Sequence, residues 1–266
     1  MTAGVDEAAA VRAYSATGSR WQTGPGIVYD RLATELVAAS PVEVRGADVL
    51  DLGTGTGAAT RAALGAGARS VIPIDAALGM LQVDAGGRPA AVCGDARALP
   101  MRDASVDVAV AAFSLNHLGD PVPALRDVTR VLRTGGGAVV GAYGADDTHP
   151  VKDAVERTLA GAGWRSPSWH RWMKERALVV WSTVESTRAT AERADLAAVQ
   201  VEQRLVPFPD LDPENLVEWR FGMAQHAPFL ATLTAARRVR LVAEACDRLG
   251  DCPPLVRSVI VLTFRR

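Results

Sequence analysis

The stretch Val49-Leu50-Asp51-Leu52-Gly53-Thr54-Gly55-Thr56-Gly57 constrains this chain more than any other. An apolar run of strand length feeds straight into glycines at three alternate positions. Glycine enters left-handed backbone conformations without strain, so the chain can turn tightly and approach a ligand where a β-carbon would clash. Ala58-Ala59-Thr60-Arg61-Ala62-Ala63-Leu64 then reads as a helix, whose free N-terminal amides would face whatever the turn holds. Strand, glycine turn and helix in this order open a parallel α/β sheet.

Asp51, two positions before Gly53, narrows the choice of ligand. A carboxylate there repels a pyrophosphate and attracts a cationic amino group. That combination points to an adenosyl ligand carrying an amino acid, S-adenosylmethionine. Gly53, Gly55 and Ala58 also satisfy the G-x-G-x-x-A turn of dinucleotide-binding proteins, so a nicotinamide-dependent oxidoreductase is a rival reading. A P-loop fails, because no lysine lies near the turn.

Further on, strand-like and helical patterns alternate, which implies parallel strands joined by crossovers. Strands are expected at 48–52, 70–74, 90–93, 106–112 and 138–142, each short and apolar as for strands covered on both faces. Pro73 fits poorly inside the second, since proline lacks a ladder donor. Helical spacing precedes the sheet around Ala8, Val11 and Tyr14, breaks at Thr23-Gly24-Pro25-Gly26, and resumes over 27–40. Asp120-Pro121 opens another helix with an apolar stripe at Leu125, Val128, Val131 and Leu132, which Gly135-Gly136-Gly137 is expected to stop. Strand-like Val199–Phe208 and Arg257–Phe264 complete seven strands, with helical spacing from Asp212 to about Leu249. The expected fold is a doubly wound, mostly parallel seven-stranded α/β sheet with N-terminal helices and a helical cap inserted after the fifth strand. No internal repeat or linker interrupts it, so 1–266 is read as one domain. Its parts are N-terminal helices at 1–40, a ligand-binding core at 41–143, and cap segments at 145–182 and 212–249.

A chain of 266 residues with 48% hydrophobic content can bury a full core. Its formal net charge of -1 provides no field that would draw nucleic acid or an anionic membrane. Cys93, Cys246 and Cys252 are too few and scattered for a disulfide framework or a metal site, and Cys93 is expected to act as a small buried hydrophobe. No signal-peptide pattern and no apolar run of membrane-spanning length is present, so a soluble, cytoplasmic protein is expected. A homo-oligomer stays open.

Ligands of doubly wound sheets bind beyond the carboxyl ends of the strands. Asp75 ends the second strand, where a carboxylate can accept both ribose hydroxyls. Asp95 follows the third and can accept an adenine amino group, while Met80 and Leu81 are soft enough to sandwich a purine.

With these residues in view, the chain resembles the class I, Rossmann-like, S-adenosylmethionine-dependent methyltransferases, specifically the ubiquinone/menaquinone and natural-product subgroup. The motifs that carry the resemblance are 49–57, Ile74-Asp75-Ala76-Ala77-Leu78-Gly79-Met80-Leu81 and Gly94-Asp95-Ala96-Arg97-Ala98-Leu99-Pro100. The segment 124–136 matches as well, with Thr134 where proline is usual. The resemblance covers roughly residues 10–143, and the remaining region, which chooses the methyl acceptor in this family, matches loosely. It implies cofactor binding by Asp51, Gly53, Thr54, Gly55, Asp75, Met80, Asp95, Ala96 and Phe113, with Tyr14 reaching the methionine carboxylate.

Methyl transfer from a sulfonium is an in-line displacement, for which a protein mainly supplies proximity and alignment. A hydroxyl or acidic carbon acceptor also needs a base. His117, just after the fourth strand, is the candidate base or a loop-positioning residue, and His226 is the second candidate. Trp164, Trp169, Trp172 and Trp181 either line an acceptor pocket or form the small core of the cap. The segment Phe113-Ser114-Leu115-Asn116 lacks the Asn/Asp-Pro-Pro-aromatic loop of enzymes that methylate nucleic-acid amines. The expected reaction is methyl transfer to an O, N or C atom of a small, partly apolar metabolite, a quinone precursor or secondary metabolite, without a metal. A cofactor-retaining cyclase or binding protein of the same fold is the alternative.

Overall fold

A computed structural model of the chain describes residues 3–83 and 85–266. Its seven-stranded sheet has the order β3-β2-β1-β4-β5-β7-β6. The strands are β1 (Asp48–Leu52), β2 (Ser70–Asp75), β3 (Val92–Cys93), β4 (Val106–Ala112), β5 (Leu132–Tyr143), β6 (Ala197–Phe208) and β7 (Leu255–Arg265). Neighbours from β3 to β5 pair in parallel, and β7 runs antiparallel to both β5 and β6.

The helices before the sheet are α1 (Ala3–Ser15), α2 (Gly18–Thr23) and α3 (Gly26–Ala38). Between strands lie α4 (Ala58–Gly65), α5 (Leu78–Leu81) and α6 (Val122–Val131). After β5 come α7 (Pro150–Gly161), α8 (Ser168–Trp172) and α9 (Val184–Arg193), and β6 is followed by α10 (Pro213–Phe221), α11 (Ala227–Ala231) and α12 (Ala235–Leu249).

Successive strand residues serve opposite faces. Val49, Val108, Val110 and Val139 pack with Leu32 and Leu36 of α3, Val155 of α7 and Leu241 of α12. Leu50, Leu52, Ala109 and Val140 pack instead with Leu125 and Val128 of α6, Ala191 of α9 and Trp181. Side chains of a strand alternate between faces, so a run apolar at every position becomes a strand buried on both sides. No described helix is long and apolar enough to cross a membrane.

Pro73 sits inside β2, opposite Asp51 of β1. Ile74 turns its carbonyl to β1, where Gly53 and Thr54 donate to it. Alternation then aims the nitrogen of Pro73 at the other edge, where β3 begins only opposite Ile74. The missing donor therefore falls where no ladder bond is made.

Two expectations change. Helix α6 ends at Val131, and Leu132 already belongs to β5, so Gly135-Gly136-Gly137 does not stop the helix. The glycines form an irregularity inside the strand, where the register with β4 shifts between Val106↔Leu132 and Val108↔Gly137. A β-carbon on Gly136 would lie 2.7 Å from the Asp107 carbonyl oxygen, which explains why the residue is glycine. Cys93 is exposed and free, on a two-residue edge strand both of whose residues are exposed.

The segments after β5 do more than cap. Helix α7 joins the α3 side of the sheet, while Trp181 and α9 cross to the α6 side. The stretch around Trp169, Met173 and Ala177 packs on Ala10 of α1, together with Ala224. The added pair β6 and β7 has two faces to cover, and the insertion supplies helices to both.

Candidate active site

The carboxyl ends of β1, β2, β3 and β4 open into one cavity of about 390 Å³, roofed by α1. Tyr14, Asp51, Gly53, Thr54, Gly55, Asp75, Met80, Asp95, Ala96 and Phe113 all line it, as does His117. Leu81 does not, being turned into the protein interior.

The glycine turn shapes the floor. Gly53, Gly55 and Gly57 have φ of +71°, +55° and +92°, values that favour glycine. A β-carbon on Gly53 would lie 2.1 Å from the Ser114 β-carbon, whereas one on Gly55 would meet only Met80 Cε at 3.6 Å. Gly53 is thus a packing glycine, and Gly55 borders the cavity. Gly57 caps α4, so that helix starts at the site.

Asp51 is 1% exposed. Its Oδ2 accepts from Thr54 Oγ1 and Thr60 Oγ1, both at 2.6 Å, while Oδ1 has no partner in the protein. Burial pushes its carboxyl above the usual range, against the two threonine donors. Asp75 spans the turn: Oδ2 accepts from the Gly55 amide at 2.8 Å and Oδ1 from the Ala77 amide at 2.7 Å. Burial raises this carboxyl too. Each Asp75 oxygen keeps a further lone pair.

Asp95 is held differently. Arg97 clasps both of its oxygens, with Nε at 3.0 Å from Oδ1 and Nη2 at 2.8 Å from Oδ2, and this holds the carboxyl below its ordinary range. Arg97 Nη1 also donates to Glu7 Oε2 at 2.8 Å, and Glu7 Oε1 accepts from the Gly119 amide at 2.9 Å. Glu7 therefore ties α1 to the loops after β3 and β4. No motif marks it in the sequence, where it stands beside Asp6 in an alanine-rich helix.

His117 is half-buried beneath the roof, with Nε2 3.4 Å from Tyr14 Oη and Nδ1 2.8 Å from Met173 Sδ. Burial lowers its imidazole to about 4. His226 lies away from the cavity lining. It is fully buried, Nδ1 is 2.8 Å from the Arg220 carbonyl oxygen, and its ring stands edge-on to Trp164. Interior packing is what this histidine does, which removes it from the candidate bases. Trp164 and Trp181 are likewise core residues, and Trp169 lies 6.3 Å from the ring of Tyr14 behind the cavity wall.

Residues 50–140 match a family described as a methyltransferase domain. A demethylmenaquinone methyltransferase of Renibacterium salmoninarum is 35% identical over 139 residues, 52% of this chain and 55% of that protein. The chain thus spans about half the length of the curated relatives it matches. Among solved structures, the YcgJ protein of Bacillus subtilis is similar with a TM-score of 0.53 and 18% identity, covering 89% of this chain and 98% of that one. Phosphoethanolamine N-methyltransferase 2 of Haemonchus contortus, solved with phosphomonomethylethanolamine and S-adenosylhomocysteine, is similar with a TM-score of 0.55 and 17% identity, covering 89% of this chain and 52% of that one. The strand order reverses between β1 and β4, the glycine turn lies at that reversal, and both fall within the residues that match the methyltransferase domain.

Proposed function

We propose that this protein transfers a methyl group from S-adenosylmethionine to an O, N or C atom of a small, partly apolar metabolite. The observation that carries the reading is Asp51 Oδ1, a buried carboxylate oxygen without a partner at the floor of the cavity. A buried anionic oxygen of this kind calls for a cationic donor, and the amino group of the cofactor's methionine end is one. A pyrophosphate would be repelled there, which disfavours the nicotinamide reading. The demethylmenaquinone methyltransferase relatives support a quinone precursor or similar secondary metabolite as the acceptor class.

Bound S-adenosylmethionine supplies an already activated methyl group, so the protein's share is binding, alignment and exclusion of water. Asp51 and the turn around Gly55 would hold the amino-acid end. Asp75, with a free lone pair on each oxygen, would accept from the ribose hydroxyls. Met80 and Ala96 would flank the adenine. Asp95, clasped by Arg97, fixes the loop that presents Ala96. Glu7 holds α1 across the top, which keeps water from the reacting atoms.

His117 acts through Tyr14 in this reading. A thioether sulfur only accepts, so Nδ1 carries the ring proton and Nε2 accepts from the Tyr14 hydroxyl. Tyr14, fixed in this way, faces the cavity as an orienting hydroxyl. The test is transfer of radiolabel from methyl-labelled cofactor to hydroquinone and phenol acceptors. Label in the extracted acceptor supports the reading, and binding of S-adenosylhomocysteine without transfer to any acceptor favours a cofactor-retaining protein.

A further inference from the structure

Behind the cavity wall lies a second group of polar residues that the methyl-transfer chemistry leaves unused. Phe113, which lines the cavity, stacks on Tyr143 at 4.5 Å between ring centres. The Arg257 guanidinium sits 4.0 Å over the Tyr143 ring and 4.8 Å over Trp219, and the Arg220 guanidinium sits 5.3 Å over Trp219. Arg257 is 3% exposed and Arg220 7%. In this cluster Trp219 Nε1, Arg220 Nε, and Nε and Nη1 of Arg257 have no hydrogen-bond partner in the protein, while the Tyr143 hydroxyl faces that of Tyr29. Each is a hydrogen-bond donor, so what the cluster lacks is an acceptor.

Its charges point the same way. Asp147 accepts from Arg257 Nη2 at 2.7 Å and Lys152 Nζ at 2.8 Å, and Glu156 lies 3.8 Å from Arg220 Nη2. Three cations thus share two carboxylates, and Glu156 is also drawn by the exposed Lys174 at 3.7 Å. Burial, opposed by Asp147, pushes the Lys152 ammonium down to about 8. A buried surplus of positive charge is costly unless an anion joins it.

We propose that this cluster binds a carboxylate of the methyl acceptor, with Arg220, Arg257 and the Tyr143 hydroxyl taking the anion and the acceptor's body lying along Phe113 and Tyr29 toward the cavity. A flat two-oxygen anion matches the planar donor edge of a guanidinium. The inference rests on the methyl-transfer reading and adds to it that the acceptor is an acid.

Benzoate and its neutral ester methyl benzoate serve as probes against the full chain saturated with S-adenosylhomocysteine. Calorimetry reads affinity, and tryptophan fluorescence reads Trp219 between the two guanidinium groups. Benzoate should bind at least about tenfold more tightly than the ester, in line with a hydrogen bond to a charged group. Arg220→Met and Arg257→Met should erase that preference. Should either variant fail to fold, Glu156→Gln removes a competing carboxylate from the rim and should raise benzoate affinity severalfold. Equal affinity for the two probes in the unmodified chain, or a preference unchanged in every folded variant, overturns the proposal. S-adenosylhomocysteine binding in the same samples separates the two ideas: retained binding without carboxylate preference sinks the acid site alone, and its absence in the unmodified chain sinks both.

Discussion

The Tyr14 hydroxyl lies 3.4 Å from His117 Nε2, while Met173 Sδ holds the opposite ring nitrogen at 2.8 Å. This fixes the tautomer and covers the one basic nitrogen of the ring with the tyrosine proton. The two side chains work as a unit, so their substitutions should not add. Tyr14→Phe and His117→Ala should each slow single-turnover transfer by roughly tenfold, the worth of about one oriented hydrogen bond. The double variant should be no slower than either single one. An independent base at His117 would instead give a loss of roughly 10²–10⁴-fold in His117→Ala alone.

Protonation supplies the next prediction. Burial lowers His117 to about 4, and His170 and His226 each to about 3. Unfolded imidazoles titrate near 6.5. The folded chain therefore binds fewer protons below that pH, so stability held above about pH 6.5 drains as pH falls toward 4. Asp51 and Asp75, raised by burial, act in the opposite sense at low pH, so imidazole proton resonances are the cleaner reading. The three ring signals should stay unprotonated down to pH 5, and the rate should show no rising limb near pH 6.5. Ring shifts that titrate near 6.5 would contradict the buried placement.

Gly53 and Gly55 should separate folding from binding. Gly53→Ala drives a β-carbon into Ser114 and should cost about 1–3 kcal/mol of stability. Gly55→Val meets no backbone, so it should still fold, with a penalty of about 1–2 kcal/mol for its left-handed φ. Its side chain enters the cavity and should abolish cofactor binding. Thermal melts beside calorimetry on both variants read the two effects apart.

The sheet was legible in the sequence because parallel strands covered on both faces leave apolar runs such as residues 108–112. The glycine turn and the aspartates at the strand ends were legible for a related reason, since strand ends and a reversal of strand order leave few places for a ligand. Long-range pairing left no local mark. Nothing around Glu7 announces that it reaches Gly119 and Arg97, and His226 looks the same in sequence whether it faces a cavity or Trp164. Arg257 did leave a trace, as a lone charge at the start of an apolar strand. The glycines of 135–137 misled because a glycine that ends a helix and one that admits a neighbouring backbone read alike.

Glu7 ties α1 to two loops, so its loss should loosen the roof. Glu7→Ala should raise amide exchange across residues 6–15 and speed the release of S-adenosylhomocysteine, leaving the exchange of β1 and β4 unchanged. Unaltered exchange in α1 would show that packing of Ala10 on Trp169 alone holds the helix.

Asp51 carries the account, and Asp51→Asn keeps its shape while removing its charge. Hydrogen bonds to charged groups are worth about 1.5–3 kcal/mol, so S-adenosylhomocysteine affinity should fall by roughly ten- to a hundredfold. The most direct test is calorimetric titration of the unmodified chain and this variant with S-adenosylhomocysteine and, separately, with NADH. Saturable one-site binding of S-adenosylhomocysteine, weakened in Asp51→Asn, is expected, with no heat from NADH. Binding of NADH without S-adenosylhomocysteine, or equal S-adenosylhomocysteine affinity in both proteins, would contradict it.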